Sequence, residues 1–504
     1  MQSGRRLPAA EPIAIVGLSA IMPGAGDVAA FWRALVEGRD MMTDVPPERW
    51  LVDEHYDPDP QAPDRTYAKR GAFIPRVAFD SMALGIPPAA LPATDSAQLL
   101  ALLAADRLLT GTGLLDGVDR DRVGVFIGCA ALQLQAVVGA RAGRPVWRRA
   151  LLDSGFDEAA AETVCDRIGE YLVPWQPETF PGMLGNVVAG RIAKRFDLHG
   201  ANFTVDAACA SSLAALSVAV DDLRLGRSDL VVTGGVDTMT DQATFICFSK
   251  TPALSPTGDC RPFDADADGT LLGEGVALFV LKRLADAEAA GDRVHAVIHG
   301  IGAATDGSEV SVFAPSRAGQ ERALRRAYAA AGYEPRTVGL VEAHGTGTPA
   351  GDAVELAALR AVFGESGGGV RCALGSVKSQ IGHTKAASGA AGLLKAALAL
   401  SHQVLPPTIK VERPHPELAR GDSPFYLNTT ARPWFHQADH PRRASVSSFG
   451  FGGANYHLAL EEFRPAEKSG ARPAARLPVR DDHLGRVFGC DHFGKLPPRC
   501  GLIR

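Results

Sequence analysis

The sequence predicts an α/β protein built from two similar lobes that close on one shared site. Apolar runs of five or six residues alternate with longer segments of helical periodicity along the chain, and this alternation is typical of sheets whose strands are connected by helices. The same rhythm occurs in both halves, and a loop-rich crossover around residues 255–275 separates them. The two halves have no clear repeat in sequence.

The elements follow from these patterns in chain order. Apolar runs predict strands at 13–17, 123–127, 230–233, 276–281, 295–299, 339–342, 444–448 and 456–460. Helical periodicity predicts helices at 28–37, 97–111, 157–171, 213–225, 319–332, 353–363 and 386–402. Residues 465–481 lose this periodicity and are typical of a linker. The remaining tail to residue 504 has too few apolar residues to fold alone.

Composition excludes several classes of protein. The chain has 504 residues, 46% of them hydrophobic and 22% charged, with a formal net charge of −5. That charge argues against a nucleic-acid binder. No apolar run approaches the ~20 residues of a membrane span, and Pro8, Glu11 and Pro12 interrupt the N-terminal residues, so we expect no secretory signal. We therefore expect a cytoplasmic enzyme.

The eight cysteines are widely spaced and form no Cys-x-x-Cys pair. In a cytoplasmic protein this pattern predicts free thiols. Cys490, His492 and Cys500 only loosely resemble a set of metal ligands, because a second cysteine pair is missing. We expect no metal.

Cys209 is the candidate nucleophile. A β-prone segment at 203–205 precedes it, a helical pattern follows it, and the small residues at 207–211 allow a sharp turn. At a helix N-terminus, the dipole favours the thiolate, and free backbone N–H groups are available to an oxyanion. The alternative is a small buried residue in a tight turn. Two histidine motifs farther along the chain favour the nucleophile.

His344 and His383 each lie in a glycine-rich frame. His344 follows an apolar run and leads into a Gly-Thr-Gly-Thr segment whose hydroxyls, at Thr346 and Thr348, suit the amides of a pantetheine arm. His383 follows Lys378 by five residues and opens a helix of small residues. Two neutral imidazoles can donate to one thioester oxygen while malonyl loses carbon dioxide, and each such donor is worth about 3 kcal/mol. The alternative is a pair of hydrogen-bonded core histidines.

Residues 449–455 form a glycine-rich loop between two apolar runs near the end of the fold. The loop is a weak match to a nucleotide-binding motif, because no helix and no Gly-Lys-Ser/Thr follow it. It is better explained as a flexible wall that carries one aromatic gate. A β-hairpin with glycine turns is the alternative.

These motifs together resemble the β-ketoacyl synthase (ketosynthase) family, which has the thiolase fold. The resemblance runs from about residue 12 to residue 463, through the motifs at 12–17, 205–213, 342–348, 378–384 and 450–455. It implies two pseudo-equivalent βαβ lobes in five layers, α-β-α-β-α. The N-terminal lobe would cover 11–270 and the C-terminal lobe 271–463, flanked by tails at 1–10 and 464–504.

The resemblance also implies roles for individual residues. Cys209 would carry the acyl chain, while His344 and His383 would assist decarboxylation and stabilise the enolate. Lys378 matches the family's structural lysine. Phe451 matches the gating phenylalanine, whose N–H would form an oxyanion hole with that of Cys209. The residues implied in binding the substrate and its pantetheine arm are Thr346, Thr348, Phe451, Gly452 and Asn455.

The family is homodimeric and binds no metal or redox cofactor. The phosphopantetheine arm arrives on an acyl carrier protein. Segments at 94–100, 173–176, 180–186 and 248–256 resemble the iterative ketosynthases of enediyne, heterocyst-glycolipid and polyunsaturated fatty-acid synthases. The chain carries no acyltransferase Gly-His-Ser-x-Gly motif and no carrier motif. An acyltransferase would therefore act in trans, or the chain is a fragment of a larger synthase.

Two other functions remain alternatives. A thiolase acting on coenzyme A esters would need a second cysteine near the C-terminal loop, and none lies beside 450–455. A catalytically silent partner protein, comparable to a chain-length factor, would typically lack the active cysteine. A truncated remnant could keep every motif. The starter unit, chain length, number of iterations and product do not follow from the sequence.

Overall fold

The computed structural model describes residues 11–308, 311–312, 314–364, 372–435, 437, 439–465 and 501–503. Within these ranges the strands are β1 (Ile13–Ile21), β2 (Thr43–Asp44), β3 (Arg70–Gly71), β4 (Val77–Phe79), β5 (Val123–Gly128), β6 (Asn202–Val205), β7 (Leu230–Asp237), β8 (Gly275–Arg283), β9 (Ala296–Thr305), β10 (Leu340–Glu342), β11 (Cys372–Gly375), β12 (Val404–Leu405), β13 (Phe425–Leu427), β14 (Arg432–Pro433), β15 (Arg443–Gly450), β16 (Ala454–Glu461) and β17 (Gly501–Ile503).

The α-helices in the same ranges are α1 (Val28–Val36), α2 (Val52–His55), α3 (Ser96–Leu109), α4 (Gln133–Ala142), α5 (Arg144–Asp153), α6 (Glu158–Glu170), α7 (Thr179–Gly182), α8 (Val187–Arg195), α9 (Ser211–Arg224), α10 (Gln242–Lys250), α11 (Leu284–Ala290), α12 (Arg317–Ala331), α13 (Pro349–Gly364), α14 (Lys378–Ile381), α15 (Ser388–His402) and α16 (Pro416–Ala419). Short 3-10 helices include Ala208–Ala210 and Lys385–Ala387. Every strand and helix predicted from periodicity corresponds to one of these elements.

The main sheet consists of two halves with the same strand order. The first half runs β1-β8-β7-β5-β6 and the second runs β9-β16-β15-β10-β11, with β13 added at its edge. In each half, the first two neighbouring pairs of strands are antiparallel, whereas the remaining strands are parallel. The prediction of two similar lobes is therefore confirmed. Because β8 belongs to the first half, this half extends beyond the predicted division at residue 270.

Helices lie on both sides of each half-sheet. Helices α3 and α8 cover the outer face of the first half, while α12 and α13 cover that of the second. Helices α9 and α15 pack between the halves, and all residues of α15 from Ser388 to Leu400 are buried. The result is the five-layered α-β-α-β-α arrangement of the predicted thiolase-like fold. The middle layer matters most for function, because both of its helices begin beside the candidate site.

The two tails fall largely outside the described residues. Residues 1–10 and 466–500, including Cys490, His492 and Cys500, are among those not described. Strand β17, near the chain's end, pairs antiparallel with β4. None of the helices in the described ranges has the length and hydropathy required to span a bilayer.

Candidate active site

Cys209 lies at the step from β6 to α9, as the sequence predicts. It is the middle residue of the 3-10 helix Ala208–Ala210, and its side chain is buried. Ala208 adopts a left-handed φ of +49°. Ser211 closes the turn: its Oγ accepts from the N–H of Ala207 at 2.9 Å and donates to the carbonyl of Ala208 at 2.6 Å. A short polar side chain thus stabilises a strained turn that presents the thiol.

Residues 207–211 form the turn that presents Cys209, called the nucleophile turn below. Close contacts from the second half of the molecule hold it in place. A Cβ at Gly450 of β15 would lie 2.2 Å from the carbonyl oxygen of Ala207. From the same strand, Ser448 Oγ donates to the carbonyl of Cys209 at 2.6 Å. The second half therefore fixes the position of a nucleophile that the first half supplies.

Burial raises the pKa of Cys209 to about 11. The positive charge of Lys378 and a hydrogen bond from the Phe451 backbone lower it, while Asp237 raises it further. Desolvation therefore outweighs the interactions that favour the thiolate, including the one expected from the helix N-terminus. The thiol is protonated at neutral pH.

His344 follows β10 and is held by its backbone. The N–H groups of His344 and Gly345 each donate to a carboxylate oxygen of Glu355 at 2.8 Å. Lys378 Nζ donates to the carbonyl of His344 at 2.5 Å. Burial, with a smaller contribution from Lys378, lowers the pKa of His344 well below its ordinary value. The imidazole is neutral, and its buried Nδ1 has no partner among the described residues.

His383 is held in one tautomer. Its backbone N–H donates to the carbonyl of Leu271 at 2.7 Å, and its carbonyl accepts from Gly273 at 3.0 Å. Its Nδ1 accepts the backbone N–H of Lys385 at 3.2 Å. An accepting Nδ1 leaves the proton on Nε2. Burial is the largest cause that lowers the pKa of His383 well below its ordinary value, followed by Lys378, His344 and Lys385.

One cavity of about 290 Å³ collects most of the predicted site. The two imidazole rings lie nearly perpendicular, with centroids 5.4 Å apart. The hydroxyls of Thr346 and Thr348 lie 2.8 Å from each other, and Phe451 is 45% exposed. The predicted residues that line the cavity are Cys209, His344, Thr346, Thr348, His383, Phe451 and Asn455.

Two predicted residues lie beside the cavity. Lys378 is buried and contacts His344 through the backbone carbonyl described above. Gly452 is in the turn between β15 and β16, with a φ of +91°. The loop at 449–455 is therefore the hairpin considered as an alternative, and its side chains also form a wall of the cavity.

Asp352 and Glu355 support the site but were not predicted. Both are on α13, and both are buried. The Asp352 carboxylate accepts the N–H groups of Gly347 at 3.1 Å and Phe263 at 2.7 Å. Burial raises the pKa of each carboxyl group to about 7. The sequence did contain a signal for them. The two acids are three residues apart on a predicted helix, so they share one face, and they follow directly after the glycine–threonine segment.

This fold and this cavity define the class of protein. A buried thiol at a helix start, faced by two neutral imidazole groups across the junction of two similar lobes, is the arrangement of a condensing acyltransferase. Residues 10–287 match the family model of the beta-ketoacyl synthase N-terminal domain, and residues 295–412 match that of its C-terminal domain. The chain belongs to the beta-ketoacyl synthase family, as its motifs predicted.

Relatives of the chain are large synthases. It is 42% identical over 470 residues to a polyunsaturated fatty acid synthase protein of Thraustochytrium sp., covering 91% of this chain and 17% of that protein. It is 38% identical over 491 residues to a polyketide synthase of Streptomyces halstedii, covering 95% of this chain and 6% of that protein. The chain thus spans less than a fifth of either relative.

Solved ketosynthases have the same fold. The oxazolomycin ketosynthase domain of Streptomyces albus superposes with a TM-score of 0.79 at 34% identity, covering 90% of this chain and 76% of that one. The module 6 ketosynthase of the Bacillus subtilis bacillaene synthase gives a TM-score of 0.76 at 32% identity, covering 90% and 73%. The chain is accordingly a ketosynthase with a thiolase-like fold.

Proposed function

We propose that this ketosynthase holds an acyl chain on Cys209 and extends it with a malonyl unit delivered by an acyl carrier protein. One observation carries the proposal: two neutral imidazoles, one with its proton fixed on Nε2, face the same cavity as the buried thiol. Neutral N–H donors stabilise a developing enolate oxygen.

The first half-reaction loads the enzyme. Cys209 sulfur attacks the carbonyl carbon of an acyl thioester, and the backbone N–H groups of Cys209 and Phe451 stabilise the oxyanion. When the tetrahedral intermediate collapses, the carbon–sulfur bond to the carrier's pantetheine breaks. The departing thiolate takes up the proton that Cys209 has lost. Acyl enzyme and free carrier thiol remain, as in a ping-pong cycle.

The second half-reaction forms the carbon–carbon bond. Malonyl thioester loses carbon dioxide, and the electron pair of the broken bond forms an enolate whose oxygen accepts N–H groups from His344 and His383. The enolate carbon attacks the thioester on Cys209, the carbon–sulfur bond to Cys209 breaks, and the departing thiolate takes a proton from solvent water. The product is a β-ketoacyl chain on the carrier. Removing either imidazole is expected to cost about 3 kcal/mol in decarboxylation.

The arm of the carrier enters along the threonine side of the cavity. The Thr346 and Thr348 hydroxyls suit the amide groups of phosphopantetheine, and Gly452 gives the facing turn its tight curvature. Asn455 lines the same cavity, and its Nδ2 donates to Asp306 at 2.6 Å. Phosphopantetheine belongs to the carrier, so we expect the ketosynthase itself to bind no cofactor and no metal.

The similarity to a polyunsaturated fatty acid synthase protein supports an iterative ketosynthase making a polyketide or a fatty-acid-like chain in the cytoplasm. An acyltransferase in trans would load the carrier with malonyl. A catalytically silent partner protein is not favoured, because Cys209, His344 and His383 are all retained in one cavity.

We further propose that the enzyme is a homodimer. Strand β6 is at one end of the main sheet, and its outer edge has no partner strand in the described part of the chain. Helix α8 packs beside it, and the segment leading into α8 exposes large apolar side chains. Tyr171 is 82% exposed, Trp175 57% and Phe180 65%. An open strand edge beside exposed aromatic groups favours pairing with a second copy.

The first test compares wild type with Cys209→Ala. Each is mixed with an acyl thioester primer and malonyl-loaded carrier, and intact protein, peptides and carrier are analysed by mass spectrometry. We expect an acyl adduct on Cys209 and a β-ketoacyl carrier in wild type alone, while the variant still decarboxylates malonyl. A folded wild type that gains no adduct from any of several primers would contradict the proposal.

A further inference from the structure

We propose that Lys385 and Asp237 form a positioning pair that holds His383 in its Nε2–H tautomer. The inference rests on the proposed role of His383 as an enolate donor. Neither residue is among those lining the cavity, so the pair reaches the substrate through His383. Its two charges have opposite effects on the pKa of Cys209, which Lys385 lowers and Asp237 raises. Lys385 is two residues beyond His383, and Asp237 is the last residue of β7.

The backbone of Lys385 has an unfavourable conformation. Its φ is +47°, in the left-handed region, which costs a residue other than glycine about 1–3 kcal/mol. This conformation directs the Lys385 N–H back to Nδ1 of His383, at 3.2 Å. The hydrogen bond that fixes the tautomer therefore depends on a backbone geometry that Lys385 would not adopt unaided.

The side chain of Lys385 supplies the restraint. Its Nζ donates to the carbonyl of Gly273 at 2.7 Å and lies 3.0 Å from Asp237 Oδ1. Both side chains are at most 9% exposed. Gly273 is also the residue whose N–H binds the carbonyl of His383. The ammonium group thus ties the turn after His383 to the same segment that holds His383 itself.

Asp237 completes the restraint from β7. Its carboxylate accepts the N–H of Met239 at 3.0 Å and the N–H of Ala386 at 3.2 Å. Ala386 is the next residue after Lys385, so one carboxylate binds both the side chain of Lys385 and the backbone that follows it. A buried lysine without a counter-ion would be strongly unfavourable. Asp237 therefore makes a charged anchor possible at this depth.

A glycine substitution distinguishes the positioning role from a purely structural one. Methionine at position 385 lacks the ammonium group but disfavours a positive φ as much as lysine does. In Lys385→Met the backbone should therefore leave this conformation, and Nδ1 of His383 should lose its hydrogen bond. Glycine adopts positive φ readily. In Asp237→Asn/Lys385→Gly, the turn needs no anchor and no unpaired carboxylate stays buried. Lys282→Met is the matched control, because Lys282 and Asp292 form a similarly buried pair at 2.7 Å that does not line the cavity.

Two rates test the proposal. Malonyl-carrier decarboxylation is measured in the Cys209→Ala background, and acylation of Cys209 is measured with the cysteine present. We expect Lys385→Met to slow decarboxylation about ten-fold or more, because His383 loses its Nε2–H donor in part of the enzyme molecules. The rate of Cys209 acylation should change less. Asp237→Asn alone should have a smaller effect of the same kind, and the double variant should recover most of the rate. Lys282→Met should leave the ratio of the two rates unchanged.

A direct measurement does not depend on activity. In protein labelled with ¹⁵N-histidine, the ring nitrogens of His383 should report an unprotonated Nδ1 in wild type and in the double variant, and partial protonation of Nδ1 in Lys385→Met. An unchanged tautomer in Lys385→Met, or equal loss of both rates, would overturn the inference. A wild type that fails to decarboxylate malonyl would instead refute the proposed function, while the tautomer result still decides the role of the pair.

Discussion

Burial acts in opposite directions on the pKa values of the three reacting side chains, and in each case it favours the neutral form. It raises the pKa of the Cys209 thiol and lowers the pKa of both His344 and His383. The resting cavity therefore carries a thiol and two neutral N–H donors. Such donors stabilise charge only as it develops, which is what an enolate-forming step requires.

The pH dependence of the two half-reactions should differ. Because the pKa of Cys209 is raised to about 11, its thiolate fraction grows throughout the range from about pH 6 to about pH 9. Alkylation of Cys209 by iodoacetamide, followed by peptide mass spectrometry, should rise across that whole range. The exposed thiol of Cys247 serves as an internal reference for reagent quality. A plateau for Cys209 near neutral pH would contradict this assignment.

Decarboxylation by Cys209→Ala should be flat over the same range. A lowered pKa means that each imidazole stays neutral as pH falls through its ordinary value, so the donors are lost only under more acidic conditions. A rate that drops below about pH 6.5 while the protein stays folded by circular dichroism would show that one imidazole titrates normally.

At the scale of elements, a buried ion pair joins the middle layer to the second half-sheet. Lys395 of α15 and Glu342 of β10 lie 2.6 Å apart, and both side chains are 1% exposed. The contact is ionic rather than a well-aligned hydrogen bond. Lys395→Met should destabilise the fold by about 3–5 kcal/mol, since it leaves a carboxylate buried without its nearest counter-ion. Urea unfolding measures the loss.

The double variant Glu342→Gln/Lys395→Met is its control. Glutamine keeps an oxygen to accept the N–H of Val377, which now binds Glu342 at 2.6 Å, and no charge remains unpaired between the two elements. It should regain much of the lost stability. A double variant less stable than Lys395→Met would show that the charges themselves stabilise this contact.

The hairpin and the nucleophile turn are coupled sterically. In Gly450→Ala, the new Cβ would lie 2.2 Å from the carbonyl of Ala207, so the turn that presents Cys209 must shift. We expect acylation to fall about ten-fold or more, with roughly 1–3 kcal/mol of destabilisation. Gly26→Ala is the control, because nothing lies within 4 Å of its added Cβ. Equal acylation rates in both variants would contradict the coupling.

Local sequence predicted most of this architecture and the reacting residues. Cys209, His344 and His383 are recognisable because each lies in a short segment whose small residues are needed for its own turn. The pKa of Cys209 was not predictable, since it depends on burial by distant segments. The contact of Lys385 with Asp237 was missed for the same reason: it joins residues far apart in the chain. Residues 133–153 fold into two helices with many exposed positions, so periodicity gave little signal there.

At the scale of the whole molecule, the site exists only where the two halves meet. The first half supplies Cys209 and the second supplies both histidines, from equivalent ends of sheets with the same strand order. Gly450 and Ser448 hold the cysteine turn from across that junction. Neither half contains a complete set of reacting groups, so separating the halves would abolish condensation.

The open edge of β6, at one end of the main sheet, predicts the quaternary structure. Val125 N–H donates to the carbonyl of Ala201, and Cys129 N–H donates to that of Val205. Because backbone groups alternate in direction along a strand, the N–H and carbonyl of Thr204 face away from β5. Thr204→Pro therefore removes a donor from the open edge without removing a bond to β5.

Thr204→Pro should convert a dimeric wild type into a monomer, measured by size-exclusion chromatography with light scattering.

Tyr171→Lys should weaken the same dimer, because it places a charge on the exposed aromatic face. Phe435→Lys is the matched control: Phe435 is also 82% exposed, but it lies beside β14, in a separate two-stranded sheet. It should leave the dimer intact. A monomeric wild type would refute the proposed homodimer. A dimer that survives Thr204→Pro and dissociates with Phe435→Lys would place the interface away from β6. The nucleophile turn begins at the end of β6, so a dimer formed there would also restrain Cys209. The monomeric variant should therefore acylate Cys209 more slowly than wild type when the two are compared at equal amounts of folded protein.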